Sequence, residues 1–273
     1  MKALICLVMS LLLAVASNAG TAKRVACIGN SITRGSRLSH PERDSYPAAL
    51  KRMLGEGWIV DNWGVSGSCA STDLKNMYMK NEVYPKVKAS RPDIVTIFLG
   101  HDDARKPNQP GLKNFASGLS EMVRNIRSDN QAVRIFLVSP TKVFSQAYDN
   151  DDGVIRNLVL PAMRQVAEKE GVGFIDAYTP TEGDKEYFPD GVHPDANGAG
   201  HIAQILYKAI TGKSRQYERP LSVPSVFSSH AVMQQHTDVA VWGYGAAGKK
   251  VTVKPSWGKA VTTIADQDGL WWL

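Results

Sequence analysis

The chain has 273 residues, 43% of them hydrophobic, with 32 Lys and Arg against 26 Asp and Glu, for a formal net charge of +6. That length holds one full domain and a remainder, with apolar content enough for a buried core. The basic excess is spread along the chain without interleaved aromatics, which argues against nucleic-acid binding, and Lys249-Lys250 reads as a solvated face.

The chain begins with a positive Lys2, an apolar run from Ala3 to Val15 and the small-residue site Ser17-Asn18-Ala19. This is the pattern of a signal peptide over residues 1–19, cut after Ala19, and it predicts a periplasmic or secreted protein. The run is too short for a comfortable membrane span, and no later segment is apolar enough to provide one. Cys6 lies at the start of the run rather than after it, against a lipoprotein. Cleavage leaves Cys27 and Cys69. Two cysteines do not make a disulfide scaffold, and Cys27, inside Val25-Ala26-Cys27-Ile28, is expected to be a buried small hydrophobe rather than half of a bridge.

Five short apolar runs follow as strands: Arg24–Gly29, Trp58–Asn62, Ile94–Leu99, Val133–Val138 and Gly173–Ala177. Their near-continuous Val, Ile, Leu and Phe content is that of strands covered on both faces. Helical periodicity fills the gaps between and after them. It keeps one face apolar through Leu112, Phe115, Leu119, Met122 and Ile126, again through Ile155, Leu158, Val159, Met163 and Val166, and through Ile202, Ile205, Leu206 and Ile210. Alternation with short links predicts an α/β domain over residues 20–212, a flavodoxin-like three-layer sandwich around a five-stranded parallel sheet. Ligands in such sheets gather at the carboxyl ends of the strands.

Past Gly212 the pattern changes. Residues 213–224 are polar and proline-bounded, as in a linker, and 225–273 read as a partial all-β segment with strands near Val239–Trp242, Val251–Lys254 and Val261–Ala265. The apolar end Leu270-Trp271-Trp272-Leu273 suggests a β-domain cut partway; the other reading docks Trp271 and Trp272 onto the first domain.

Chemistry concentrates in four blocks on the expected rim. Asp190-Gly191-Val192-His193-Pro194 spaces a carboxylate three residues before an imidazole, close enough to fix its tautomer. Ser31, in Gly29-Asn30-Ser31-Ile32-Thr33, sits where the first strand breaks into a turn, a nucleophile's position and equally a helix cap's. Asn62-Trp63-Gly64-Val65-Ser66-Gly67 follows the second strand, and Leu99-Gly100-His101-Asp102-Asp103 the third. Together these blocks resemble the SGNH (GDSL-type) hydrolases, over roughly residues 23–211. Asn30, Tyr46-Pro47 and the Asp190–Pro194 block are similar to the exported carbohydrate-esterase branch. The tail, especially Val226-Phe227-Ser228 through Val241-Trp242-Gly243 and Ala265–Trp271, resembles the opening β-domain of sialate O-acetylesterase-like proteins.

The resemblance implies Ser31 as nucleophile, His193 as general base and Asp190 as its orienter, with the N–H groups of Ser31 and Gly64 as oxyanion donors. The family's third donor is an asparagine amide, and Asp102 stands at that position. An ionised carboxylate only accepts hydrogen bonds. Asp102 therefore either keeps a proton and donates it, or marks a weakly active or non-catalytic carbohydrate-binding domain, with Trp63 as a sugar platform. The expected function is an exported serine esterase that removes O-acetyl groups from a carbohydrate, sialic acid or polysaccharide, through an acyl-Ser31 intermediate. Phospholipase or thioesterase work is a further alternative. His40–Tyr46 reads as a polar sugar-binding rim or a mobile loop.

No cofactor or metal is expected. Gly243-Tyr244-Gly245-Ala246-Ala247-Gly248 matches a dinucleotide fingerprint, but Val251-Thr252-Val253 follows as a strand where a helix is required. Asp149-Asn150-Asp151-Asp152 lacks calcium-loop spacing and reads as helix capping, and His101-Asp102-Asp103 has no close second histidine to help it hold a divalent ion. The sequence leaves the oligomeric state open.

Overall fold

The structure, a computed structural model, describes residues 22–227, 230–266 and 269–273. The 1–19 signal peptide and Cys6 lie outside the described residues. Five strands, β1 (Lys23–Gly29), β2 (Trp58–Gly64), β3 (Ile94–Phe98), β4 (Arg134–Val138) and β5 (Gly173–Ile175), form one all-parallel sheet in the order β2-β1-β3-β4-β5. The helical segments are α1 (Ser31–Arg34), α2 (Pro41–Asp44), α3 (Tyr46–Leu54), α4 (Val83–Ala89), α5 (Phe115–Asp129), α6 (Asp152–Val154), α7 (Leu160–Glu170) and α8 (Ala196–Thr211).

Alternation along each strand divides the core into two layers. Val25 and Cys27 pack with Tyr46, Leu50, Ile202 and Leu206 of α3 and α8. Ala26 and Ile28 face the other way, onto Leu119, Met122, Met163 and Val166 of α5 and α7. Both sheet faces are covered, which is why the strands read as continuous apolar runs. This is the predicted flavodoxin-like sandwich. Strand order reverses between β1 and β3, with β2 added on one side and β4 and β5 on the other, so the crevice at the carboxyl ends of those two strands is the topological switch point. Ser31 and Asp102 follow those two strands.

One predicted face differs in phase. Ile155, Val159, Met163 and Val166 are buried, but Leu158 is 55% exposed. Ile155–Val159 is a widened π turn leading into α7; its extra residue per turn rotates Leu158 outward. Cys27 and Cys69 are both buried and free. Burial pushes the Cys27 thiol up to about 12 and raises Cys69 further still, so both stay protonated.

Beyond α8 the chain does not hang free. Arg215 donates to the Met53 carbonyl at 2.6 Å, and the Tyr217 amide donates to Gln204 at 3.0 Å, so residues 213–224 run docked across α3 and α8. Four short strands follow: β6 (Trp242–Tyr244), β7 (Lys250–Val253), β8 (Val261–Ile264) and β9 (Leu270–Trp272). β6 pairs with β9 and β7 with β8, all antiparallel. β9 removes the alternative reading of the apolar end: Trp271 is buried with Val251 and Ala265 inside the β segment, and Trp272 is 71% exposed, so neither docks onto the first domain. The Gly243–Gly248 turn joins β6 to strand β7, without the helix a dinucleotide would need. Among the described residues no helix is long and apolar enough to cross a membrane.

Candidate active site

β1 ends at Gly29, where a side chain would strike Thr33 and the Phe98 carbonyl, so only glycine lets the chain turn this tightly over the sheet. Asn30 then caps α1, its Oδ1 accepting the Ile32 amide at 3.1 Å, and Ser31 opens the helical turn. The second component arrives from 162 residues away. Asp190 Oδ1 accepts the backbone N–H groups of Val192 and His193 at 2.9 and 2.7 Å, a turn that folds the imidazole back over its own carboxylate. Pro194 and the cap Asp195, which accepts the Asn197 and Gly198 amides, then launch α8 and fix that turn to the core.

The result is one continuous chain of hydrogen bonds. His193 Nδ1 lies 2.8 Å from Asp190 Oδ2, and His193 Nε2 lies 2.9 Å from Ser31 Oγ. Burial alone would push Asp190 up, but the His193 amide and imidazole and the Val192 amide outweigh it and hold the carboxyl below its ordinary value. Asp190 is thus ionised at neutral pH and holds the proton on Nδ1, leaving the Nε2 lone pair for the Ser31 hydroxyl.

The cavity in front of Ser31 holds about 250 Å³ and is lined by Ser66, Gly67, His101, Asp102 and Arg105. Gly64 is not among its walls. β2 runs two residues further than the sequence suggests, which puts Gly64 in the ladder opposite Gly29; its N–H donates to Asn62 Oδ1 at 3.0 Å and its Cα packs on the Arg34 backbone. Gly64 therefore does not reach the cavity as expected of it, and Gly67 takes that place. That residue turns with φ +78° and lines the cavity, and its N–H has no acceptor among the described residues. Trp63 is half-buried against the core with its indole Nε1 buried, and it does not line the cavity where the sequence suggested a sugar platform.

Asp102 lies in the cavity wall as expected and is only 7% exposed. Burial pushes its carboxyl up to about 6; Arg105, whose Nη1 is 3.7 Å from Oδ1, pulls it down, and Asp103 pushes it up. The Asn30 amide also favours the charged form, although its Nδ2 makes no hydrogen bond of full geometry. Asp103 does separate work. It is fully buried and accepts the Ala70 and Ser71 amides and the Ser71 hydroxyl, tying the loop after β2 to the loop after β3. His101 is neutral: burial lowers it to about 3, and Nε2 accepts the Thr141 amide at 3.0 Å. Among the described residues no group of three His, Cys, Asp or Glu side chains is arranged for a metal ion. Asp151 caps α6, and Asp152 pairs with Lys142.

Tyr148 is the participant that sequence reading missed. Its hydroxyl donates to Asp190 Oδ2 at 3.1 Å and accepts from Arg37 at 2.6 Å, while its ring meets His193 edge-on at 5.3 Å. It reaches this position through a left-handed backbone, φ +59°, held by Arg105 donating to its carbonyl at 2.6 Å. Tyr148→Phe keeps the ring and removes only the hydroxyl. A hydrogen bond to a charged group at so open a position is worth about 1–2 kcal/mol. The expected result is a fall of about fivefold to thirtyfold in kcat/KM, with the fold intact by circular dichroism.

Residues 27–201 match the profile of the GDSL-like lipase/acylhydrolase family. The chain is 32% identical over 206 residues to an acetylxylan esterase from Xylanibacter ruminicola, covering 68% of this chain. It spans under half of that relative, 43% of its length. A carbohydrate acetylesterase from Sinorhizobium meliloti superposes with a TM-score of 0.58 at 20% identity, over 70% of this chain and 99% of that one. A lipase/acylhydrolase from Enterococcus faecalis does so with 0.58 at 23%, over 71% and 99%. At such identities the likeness is one of fold.

Proposed function

We propose that this chain, which belongs to the GDSL-like lipase/acylhydrolase family, is a serine esterase that removes acetyl groups from carbohydrate. The observation that carries this reading is the unbroken Asp190–His193–Ser31 hydrogen-bond chain at the switch point of the sheet. Ser31 Oγ attacks the acetyl carbonyl while His193 Nε2 takes its proton. The oxyanion that forms is met by the N–H groups of Ser31 and Gly67, neither of which has an acceptor among the described residues. The same proton then passes to the leaving sugar hydroxyl, releasing it and leaving acetyl-Ser31. Water, deprotonated by His193, repeats the sequence and frees acetate.

A small acyl group fits the walls. The cavity holds only about 250 Å³, and Asp102, Arg105 and His101 stand beside Ile32 and Val192 in its walls, so a long alkyl chain buries little of its length there. In a 4-nitrophenyl ester series, acetate is therefore expected to exceed octanoate in kcat/KM by at least about tenfold, since each added methylene gains little of its usual ~0.8 kcal/mol. A rate that climbs with chain length would contradict the carbohydrate reading and favour a lipase. Export is part of the proposal and rests on the pattern of residues 1–19 alone. Acetylated sialic acids and acetylated polysaccharides are both candidate substrates.

A further inference from the structure

A second cavity, of about 710 Å³, opens beside the first and shares Tyr148 and His193 with it, with Asp190 in its own wall. Its far wall is not built by the sandwich. It comes from the docked segment after α8 and from β6, through Arg219, Ser222 and Tyr244. Two backbone hydrogen bonds between Ser222 and Tyr244, at 2.8 and 2.9 Å, fix that wall, and the Arg219 guanidinium lies 3.8 Å from the centre of the Tyr244 ring.

The charges in this cavity are nearly all spoken for. Asp44 is held by two hydrogen bonds from Arg43, Asp190 by the His193 imidazole, and Asp195 by the first amides of α8. Arg37 is bonded to the Tyr148 hydroxyl and sits 3.9 Å from Asp190. Arg219 is different: it makes no ion pair with any described carboxylate, and its fork is half-buried against an aromatic face. A guanidinium held against an aromatic ring keeps its fork of donors for bidentate recognition of a carboxylate. The ring and the polar walls around it suit a sugar.

We infer that Arg219 and Tyr244 form a subsite for a carboxylate-bearing sugar, placed so that an acetyl ester on that sugar or its neighbour reaches Ser31. The inference rests on the esterase reading above and narrows its substrate class to acidic carbohydrate. The carboxylate has two sources, a uronic acid branch on an acetylated polysaccharide or the acid of the acetylated sugar itself, and substrates separate them.

The test measures kcat/KM on four acetyl esters: 4-nitrophenyl acetate, a neutral acetylated xylo-oligosaccharide, the same oligosaccharide carrying a glucuronic acid branch, and O-acetylated N-acetylneuraminic acid. The native protein is expected to favour one of the two acidic substrates over the neutral oligosaccharide by at least about tenfold. That preference weakens as salt screens the charge. Arg219→Gln collapses the acidic-to-neutral ratio at least about tenfold, and Arg219→Lys, which keeps the charge but loses the fork, restores part of it. Rates on both acidic substrates no higher than on the neutral oligosaccharide, or a ratio unmoved by Arg219→Gln, would overturn the subsite and leave the esterase standing. No hydrolysis of any of the four, 4-nitrophenyl acetate included, would overturn the esterase reading itself.

Discussion

Asp102→Asn is expected to raise kcat/KM for acetyl-ester cleavage at pH 8 by at least about tenfold, with a ceiling near 10³ set by the ~3–4 kcal/mol that one oxyanion donor supplies. The residue lines the cavity in front of Ser31, and with its carboxyl near 6 it is ionised at pH 8. In that state it offers only acceptors where negative charge develops. Arg105, 3.7 Å away, offsets part of this charge, so the gain stays below the full sum of a restored donor and a removed anion. As pH falls through about 6, Asp102 takes up a proton and gains an O–H to donate, so the advantage of the Asn variant shrinks toward pH 5.5. A ratio that is flat across this range, or a variant no faster than the native protein, would place Asp102 outside the oxyanion contact.

The same shift has a consequence for stability. A carboxyl raised from 3.8 to about 6 binds its proton more tightly in the folded chain than in the unfolded one. Its stabilising contribution is therefore present below about pH 4 and lost as pH rises through about 6. Asp102→Asn removes the buried charge and is expected to raise Tm at pH 8 while changing it little at pH 4.

Ser31→Ala is expected to lower kcat by about 10⁴–10⁶ on 4-nitrophenyl acetate. Ser31 Oγ bonds only to His193 Nε2 among the described residues, so its removal leaves the α1 turn and the Asp190 turn intact and Tm nearly unchanged. Because the three side chains act as one proton-transfer chain, the double variant with His193→Ala should be scarcely slower than either single one. Residual activity above a few per cent would mean that another group attacks the ester.

The hydrogen-bonded meeting of Ser31, His193 and Asp190 was legible because each carries a local signature. A glycine-bounded strand end precedes Ser31, and Asp190 and His193 share a single turn. The sheet was legible because doubly covered strands need unbroken apolar runs. Gly64 and Gly67 lie three residues apart in one glycine-containing loop, and periodicity cannot say where β2 stops. Only pairing with β1, which carries β2 to Gly64, shows which amide is consumed and which faces the cavity. Tyr148 was hidden for a related reason. Its role depends on a left-handed backbone at a non-glycine residue, stabilised by Arg105 from a distant loop, and neither is written in Ala147–Asp149. Arg219 lay in a stretch whose polarity and prolines read as linker, and its place beside the site arises from docking across α8 and from the Ser222–Tyr244 pairing. Local pattern specifies elements; register and docking decide which atoms meet.

The most direct measurement is intact-mass and peptide mapping of the protein after treatment with a fluorophosphonate, which couples only to an activated serine. The account predicts one adduct per chain, on Ser31, formed rapidly by the native protein and slowed at least about a hundredfold by His193→Ala. Labelling on another residue, or equal labelling with and without the imidazole, would contradict it.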